Sequence, residues 1–198
     1  LRFDEPVTHV YNPLVYAKDP HTQYIRKYAK KAKRVFFVGM NPGPYGMAQT
    51  GIPFGEIDHA ARFLKVKGEV KQPKKVHPKR PIMGFDCPRS EVSGRRLWSS
   101  FSSHFGTANQ FFKEHFVANY CPLVFMETSG KNRTPDKLSK DEREKLFKIC
   151  DPYLQLLVTE LKPEFVVGVG RFAKDRAAIA LEGYDVKIAQ ILHPSPAS

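Results

Sequence analysis

Short apolar runs recur along the chain, separated by stretches in which apolar residues repeat with helical spacing. Val35-Phe36-Phe37-Val38-Gly39-Met40 is apolar throughout, as a strand covered on both faces would be. Similar runs span residues 117–126 (broken at Asn119 and Pro122), 165–169 and 188–192. Residues 21–34 read as a very basic helix, with Arg26, Lys27, Lys30, Lys31, Lys33 and Arg34 crowded toward its end. Residues 90–105 carry Leu97, Trp98, Phe101 and Phe105 on one stripe, and Gly106 is a natural stop. Ser139 and Glu142 have the spacing of a capping box. Asp151-Pro152 reads as a fresh N-cap and first-turn proline, followed by an apolar face of Tyr153, Leu154, Leu157, Val158 and Leu161. A last helix, 171–181, ends before Gly183. Buried strands alternating with helices predict an α/β fold, one domain over 1–198 with a parallel sheet between helical layers.

In open parallel sheets the ligand sits beyond the carboxyl ends of the strands. The residues to inspect therefore follow Met40, surround Asn119, follow Gly170 and follow Leu192. Residues 39–55 hold five glycines and three prolines in 17 positions, a stiff loop with exposed backbone amides suited to a phosphate or a planar heterocycle. Asn119 interrupts an apolar run, where a buried amide costs ~1–3 kcal/mol unless hydrogen-bonded. It is either a satisfied core amide or a group that reads a ligand edge. His193 comes first after the last strand and leads into Pro194-Ser195-Pro196. Gly168-x-Gly170-x-x-Ala173 has the form of a dinucleotide fingerprint, but it follows a late strand, and close helix–strand packing explains its glycines better.

Composition sharpens the class of partner. The 198 residues include 32 Lys and Arg against 20 Asp and Glu, a net +12 that points to a polyanion, nucleic acid first. Residues 65–80 contain seven basic side chains against Glu69 alone. The loop Ser129-Gly130-Lys131-Asn132-Arg133-Thr134 is basic and hydroxyl-rich, as phosphate contacts require. No apolar run approaches the ~20 residues of a membrane span, so no membrane partner is expected. Three distant cysteines give neither a Cys-x-x-Cys pair nor an even count, which argues against a zinc ribbon and a disulfide framework. Neither metal nor cofactor is expected. The start at Leu1, without Met, reads as a trimmed end.

The motifs carry a resemblance. Gly39-Met40-Asn41-Pro42-Gly43-Pro44, running through Gly46-Met47-Ala48-Gln49-Thr50-Gly51 to Pro53-Phe54-Gly55, with His193-Pro194-Ser195-Pro196, resembles the uracil-DNA glycosylase superfamily. The long first motif is similar to that of the single-strand-selective monofunctional uracil-DNA glycosylases. His77-Pro78-Lys79-Arg80-Pro81, Glu91-Val92-Ser93-Gly94 with Trp98, and Asn119-x-Cys121-Pro122-Leu123 match as well. The resemblance runs from about Tyr11 to the end. It implies a three-layer α/β/α fold with a four-stranded parallel sheet, and removal of uracil and 5-hydroxymethyluracil from DNA. It also implies a chain that continues past Ser198, so that the domain is expected to be truncated there.

By that resemblance Asn41 holds the attacking water and His193 donates to the uracil carbonyl oxygen where charge develops. Asn119 reads the base edge, Phe54 stacks on the flipped base, and Met40, Gly43 and Met47 line its pocket. The best-known branch has aspartate in place of Asn41; an amide orients water without taking its proton, so a dissociative mechanism is expected. The uracil-only branch has tyrosine in place of Gly43, and glycine leaves room for a small polar C5 substituent while thymine is rejected. Neither end motif holds a lysine for a Schiff base, in keeping with a monofunctional enzyme. Pro194-Ser195-Pro196 is expected to press into the DNA and help expel the base. A monomer acting in the nucleus on single- and double-stranded DNA follows from this reading. The rivals are a DNA-binding module without catalysis and a nucleotide-cofactor enzyme built on Gly168 and Gly170.

Overall fold

The computed structural model describes residues 1–195. The first half of the chain forms β1 (Val7–Tyr11), α1 (Pro13–Tyr16), α2 (Lys18–Tyr28), β2 (Val35–Gly39), α3 (Met47–Thr50), α4 (Val92–Phe105) and α5 (Ala108–Glu114). The second half forms β3 (His115–Asn119), β4 (Val124–Glu127), β5 (Asn132–Arg133), α6 (Lys140–Leu161), β6 (Phe165–Val169), α7 (Arg171–Ala180) and β7 (Lys187–Ile191). Four strands make a parallel sheet in the order β3-β2-β6-β7. The chain leaves β2 toward β3 on one side and leaves β6 toward β7 on the other. A ligand crevice therefore opens at the strand ends between β2 and β6.

Phe36, Phe116 and Val166 are fully buried in this sheet, and an aromatic cluster covers it. Tyr28 stacks on Phe112 at 3.8 Å, and Trp98 meets Phe111 edge-on at 5.8 Å. Buried tyrosines need partners for their hydroxyls. Tyr24 donates to the Val117 carbonyl at 2.8 Å and Tyr28 to that of Leu64 at 2.6 Å.

The structure departs from the sequence pattern in several places. The basic helix stops at Tyr28, not at residue 34. Like charges at Lys27, Lys30, Lys31 and Arg34 recur at helical neighbour spacings and repel. Lys31 instead takes φ +65°, and the amide of Lys33 donates to Leu161 at 2.7 Å, turning the chain into β2. The run 117–126 is not one strand. It splits at Tyr120, and β4 joins a second sheet, antiparallel, in the order β1-β4-β5. The run 188–192 is an edge strand with Lys187, Ala189 and Gln190 exposed, not a buried one.

Asp151-Pro152 does not restart a helix either. α6 runs unbroken through Pro152, behind a capping box in which Ser139 and Glu142 bond reciprocally. An interior proline costs ~3 kcal/mol. The continuous buried face of Leu146, Cys150, Leu154, Val158 and Leu161 outweighs it. Asp151 is diverted from capping: it accepts from Tyr120 Oη at 2.6 Å and from Arg176 Nη2 at 2.8 Å. The glycines of the dinucleotide-like motif serve packing, since a Cβ on Gly168 would overlap the backbone of Lys174 in α7.

Candidate active site

A cavity of about 200 Å³ opens at the carboxyl ends of the parallel strands, lined by residues from widely separated parts of the chain. Met40, Asn41 and Gly43 come from the loop after β2, Met47 from α3, and Asn119 from the end of β3. Phe54 and His193 complete its wall. All seven residues expected at the base pocket or in catalysis therefore meet in one place. A larger groove of about 530 Å³ is lined by apolar side chains such as Phe3, Val7, Leu14, Leu146 and Ile149, with few polar groups converging on it. The smaller cavity is where the chemistry is concentrated, and its size suits a single planar ring rather than a larger ligand.

Asn41, Asn119 and His193 are each held by a contact of the side chain. Nδ2 of Asn41 donates to the Leu123 carbonyl at 3.1 Å, while its Oδ1 has no partner among the described residues. Asn119 is 6% exposed; its Nδ2 meets only Met47 Sδ, at 3.3 Å, and its Oδ1 is buried with no hydrogen-bond partner. A buried carbonyl left unpaired is costly, so such an atom marks a place built for a donor that arrives with a ligand.

His193 is fixed by its own turn. The amide of Ser195 donates to Nδ1 at 3.2 Å, so in the neutral ring the proton sits on Nε2. Burial lowers the His193 pKa below the ordinary histidine value, which favours that neutral form. The Gly170 amide donates to Ile191 at 2.9 Å and brings the β6 end beside His193. Arg96 Nη1 donates to the Pro194 carbonyl at 3.3 Å and ties the turn to α4.

Phe54 has φ +52°, an unusual value for an aromatic residue. Its carbonyl accepts from Trp98 Nε1 at 3.0 Å and from the Glu56 amide at 2.7 Å, and these two bonds hold the ring in place, 6.4 Å from the His193 ring. Glu56 is itself buried. Burial pushes its pKa up, but bonds from His59 Nδ1 (2.6 Å) and Ser90 Oγ (2.8 Å) bring it below the usual range.

The expected DNA-contact residues are distributed differently. Asn132 and Thr134 line the cavity itself. Arg133 pairs with Glu127 at 2.9 Å and donates to the Lys137 carbonyl, so its charge is turned inward. Gly130 is buried and accepts from Arg80 Nε at 2.8 Å, which leaves Ser129 and Lys131 as the exposed members of the loop. Pro194 and Ser195 stand next to His193; Pro196 lies outside the described residues.

Two groups given no role by sequence reasoning also stand here. Glu91 and Ser93, at the start of α4, form part of the cavity wall. On the surface, Tyr45 lies between two arginines, with Arg80 at 5.5 Å and Arg89 at 5.1 Å from its ring, and both donate to its hydroxyl. Its place inside the glycine- and proline-rich loop was the available signal.

The sequence model described as the uracil DNA glycosylase superfamily matches residues 26–198. The "Single-strand selective monofunctional uracil DNA glycosylase" of Mus musculus is 49% identical over the whole chain, which covers 72% of that protein. The Bos taurus protein of the same name is 47% identical, again over the whole chain and 74% of its own length. Among solved structures, SMUG2 of Pedobacter heparinus superposes with a TM-score of 0.71 at 20% identity, covering 98% of this chain and 80% of that one. That last likeness speaks for the fold alone. The chain belongs to the uracil-DNA glycosylase superfamily, and within it to the single-strand-selective monofunctional group.

Proposed function

We propose that this DNA glycosylase hydrolyses the N-glycosidic bond of uracil and of 5-hydroxymethyluracil in single- and double-stranded DNA, acting as a monomer and leaving an abasic site. The observation that carries the reading is the buried, unpaired Oδ1 of Asn119 in a cavity that also holds His193. Uracil presents N3–H and O4 on one edge: the first donates to Asn119 Oδ1 and the second accepts from Nδ2. Cytosine reverses both and leaves two unsatisfied groups. With that edge at Asn119, O2 lies toward His193, whose Nε2–H donates to it.

Cleavage leaves electron density on the base and positive charge on the sugar. A donor placed where the oxyanion forms is worth ~2.7–4 kcal/mol in the transition state. His193, neutral and with its proton on Nε2, is that donor. Asn41, with Nδ2 occupied by Leu123, offers Oδ1 to one hydrogen of the attacking water. An amide does not accept the proton at neutral pH, so departure of the base runs ahead of water attack. Phe54 gives the flipped ring its stacking face. The net charge of +12 supplies the attraction to the DNA backbone; Lys131 precedes the wall residue Asn132, and Arg80 and Arg89 both bond Tyr45 in the loop after β2.

The test is incubation with labelled oligonucleotides carrying uracil, 5-hydroxymethyluracil or thymine, single- or double-stranded, in EDTA. Alkali-revealed cleavage at the first two and not at thymine is expected. DNA retention without cleavage would leave a binding module in its place.

A further inference from the structure

Glu91 precedes α4 and puts its carboxyl into the cavity wall beside the loop after β2. A Cβ on Gly43 would lie 2.5 Å from Glu91 Oε1, and one on Gly46 would overlap Oε2. The carboxyl thus fills the room that those two glycines leave. Oε2 is buried and has no hydrogen-bond partner, and no ion pair among the described residues involves Glu91. Burial pushes its pKa up to about 7; the Gly94 amide offsets part of this and the nearby Glu56 adds to it.

A buried carboxyl with an unpaired oxygen in a ligand cavity calls for a polar group on the ligand. The order of the walls says which ligand atom it faces. With O2 at His193 and N3–H and O4 at Asn119, the next wall residue is Met47, whose Sδ touches Asn119 Nδ2. Met47 follows Gly46, and Gly46 and Gly43 pack on Glu91. Going round the ring in the same sense, the atom after C4 is C5.

We infer that Glu91 is a specificity-determining residue that hydrogen-bonds a hydroxyl group carried on C5 of the flipped pyrimidine and disfavours a methyl group there. This rests on the glycosylase reading above and on the base orientation it gives. A hydroxyl donates to the ionised carboxylate and accepts from the protonated acid, so it pairs in either state. A methyl group does neither, and the buried Oε2 stays unpaired. Hydrogen-bonding sites of this kind reject an analogue lacking the polar group far more strongly than apolar pockets reject an extra methyl.

The experiment measures single-turnover kcat/KM on uracil, 5-hydroxymethyluracil and thymine oligonucleotides for the wild type, Glu91→Gln and Glu91→Leu, with folding checked by thermal melting. Loss of the bond is expected to lower the 5-hydroxymethyluracil-to-uracil ratio about tenfold or more in Glu91→Leu. Glu91→Gln, which still donates and accepts, keeps most of that ratio, and the thymine-to-uracil ratio rises in Glu91→Leu. If the leucine variant does not fold, Glu91→Ala carries the same comparison with a smaller side chain. Unchanged ratios in a folded variant, or a parallel loss on all three bases, would overturn the role of Glu91. A wild type that removes 5-hydroxymethyluracil no better than thymine would overturn it too, while uracil cleavage still upheld the glycosylase. No uracil cleavage by the wild type would remove both readings together.

Discussion

The amide of Ser195 donates to Nδ1 of His193 across 3.2 Å, and this contact decides which ring nitrogen carries the proton. Because burial also lowers the His193 pKa below 6.5, the ring is neutral with Nε2–H at neutral pH. Protonation therefore sets in only on the acid side of the ordinary histidine range, where the Ser195 bond to Nδ1 is lost. The kcat/KM profile for uracil is expected to be level through neutrality and to fall only on the acid side of the ordinary histidine range. His193→Leu is expected to lower turnover about 10²–10³-fold and to abolish that acid limb, with DNA binding kept.

Asn119 predicts opposite effects on activity and stability. Replacing it by leucine, close in volume, removes the buried unpaired oxygen, and stability is expected to rise by ~1–3 kcal/mol. Uracil excision should be lost in the same protein. Urea unfolding and single-turnover cleavage measure the two; a destabilised Asn119→Leu would show that the amide is satisfied in solution.

Glu91 makes folding stability depend on pH. Its pKa is about 7 in the folded protein against 4.5 in the unfolded chain, so the folded state holds a proton that the unfolded state has released. Stability contributed by the protonated group is complete below pH 4.5 and declines as pH rises to 7, by about 3 kcal/mol in all. Glu91→Gln is expected to match the wild type at pH 4 and to exceed it by roughly that amount at pH 8, as read from urea midpoints at each pH.

Gly168→Ala places a methyl group against the Lys174 backbone and is expected to destabilise the fold by ~1–3 kcal/mol. Thermal melting reads this, and added nicotinamide dinucleotide should shift neither protein. A dinucleotide-dependent rise in Tm would restore the cofactor reading of the motif.

Arg80 and Arg89 flank Tyr45, and each retains guanidinium donors beyond its bond to the tyrosine hydroxyl. If they reach phosphates, Arg89→Ala weakens binding to all sequences alike and reduces the log–log salt slope by about 1. An unaltered slope in a fluorescence-anisotropy titration would place the DNA elsewhere.

The strand-end residues were legible because their surroundings are simple. Asn41 and His193 each follow an apolar run directly, and Asn119 breaks one, so position alone marked them out. The central sheet was legible for the same reason. The second sheet was not: β5 is two residues long and shows no period, and its pairing with β4 is what carries Asn132 and Thr134 into the cavity. Glu91 looked like an ordinary acid at a helix start, since its burial depends on Gly43, Gly46 and Gly94 from two separate segments. Pro152 misled because local propensity was outweighed by a packed face about four turns long.

On the reading proposed above, Phe54 has a kinetic meaning as well as a geometric one. Its left-handed backbone is locked by Trp98 and Glu56 before any nucleotide arrives, and the side chain is 8% exposed. An extruded base spends only a short time outside the helix before it falls back. A stacking face that needed to rearrange would miss most of those excursions, whereas one already set captures a base on first entry.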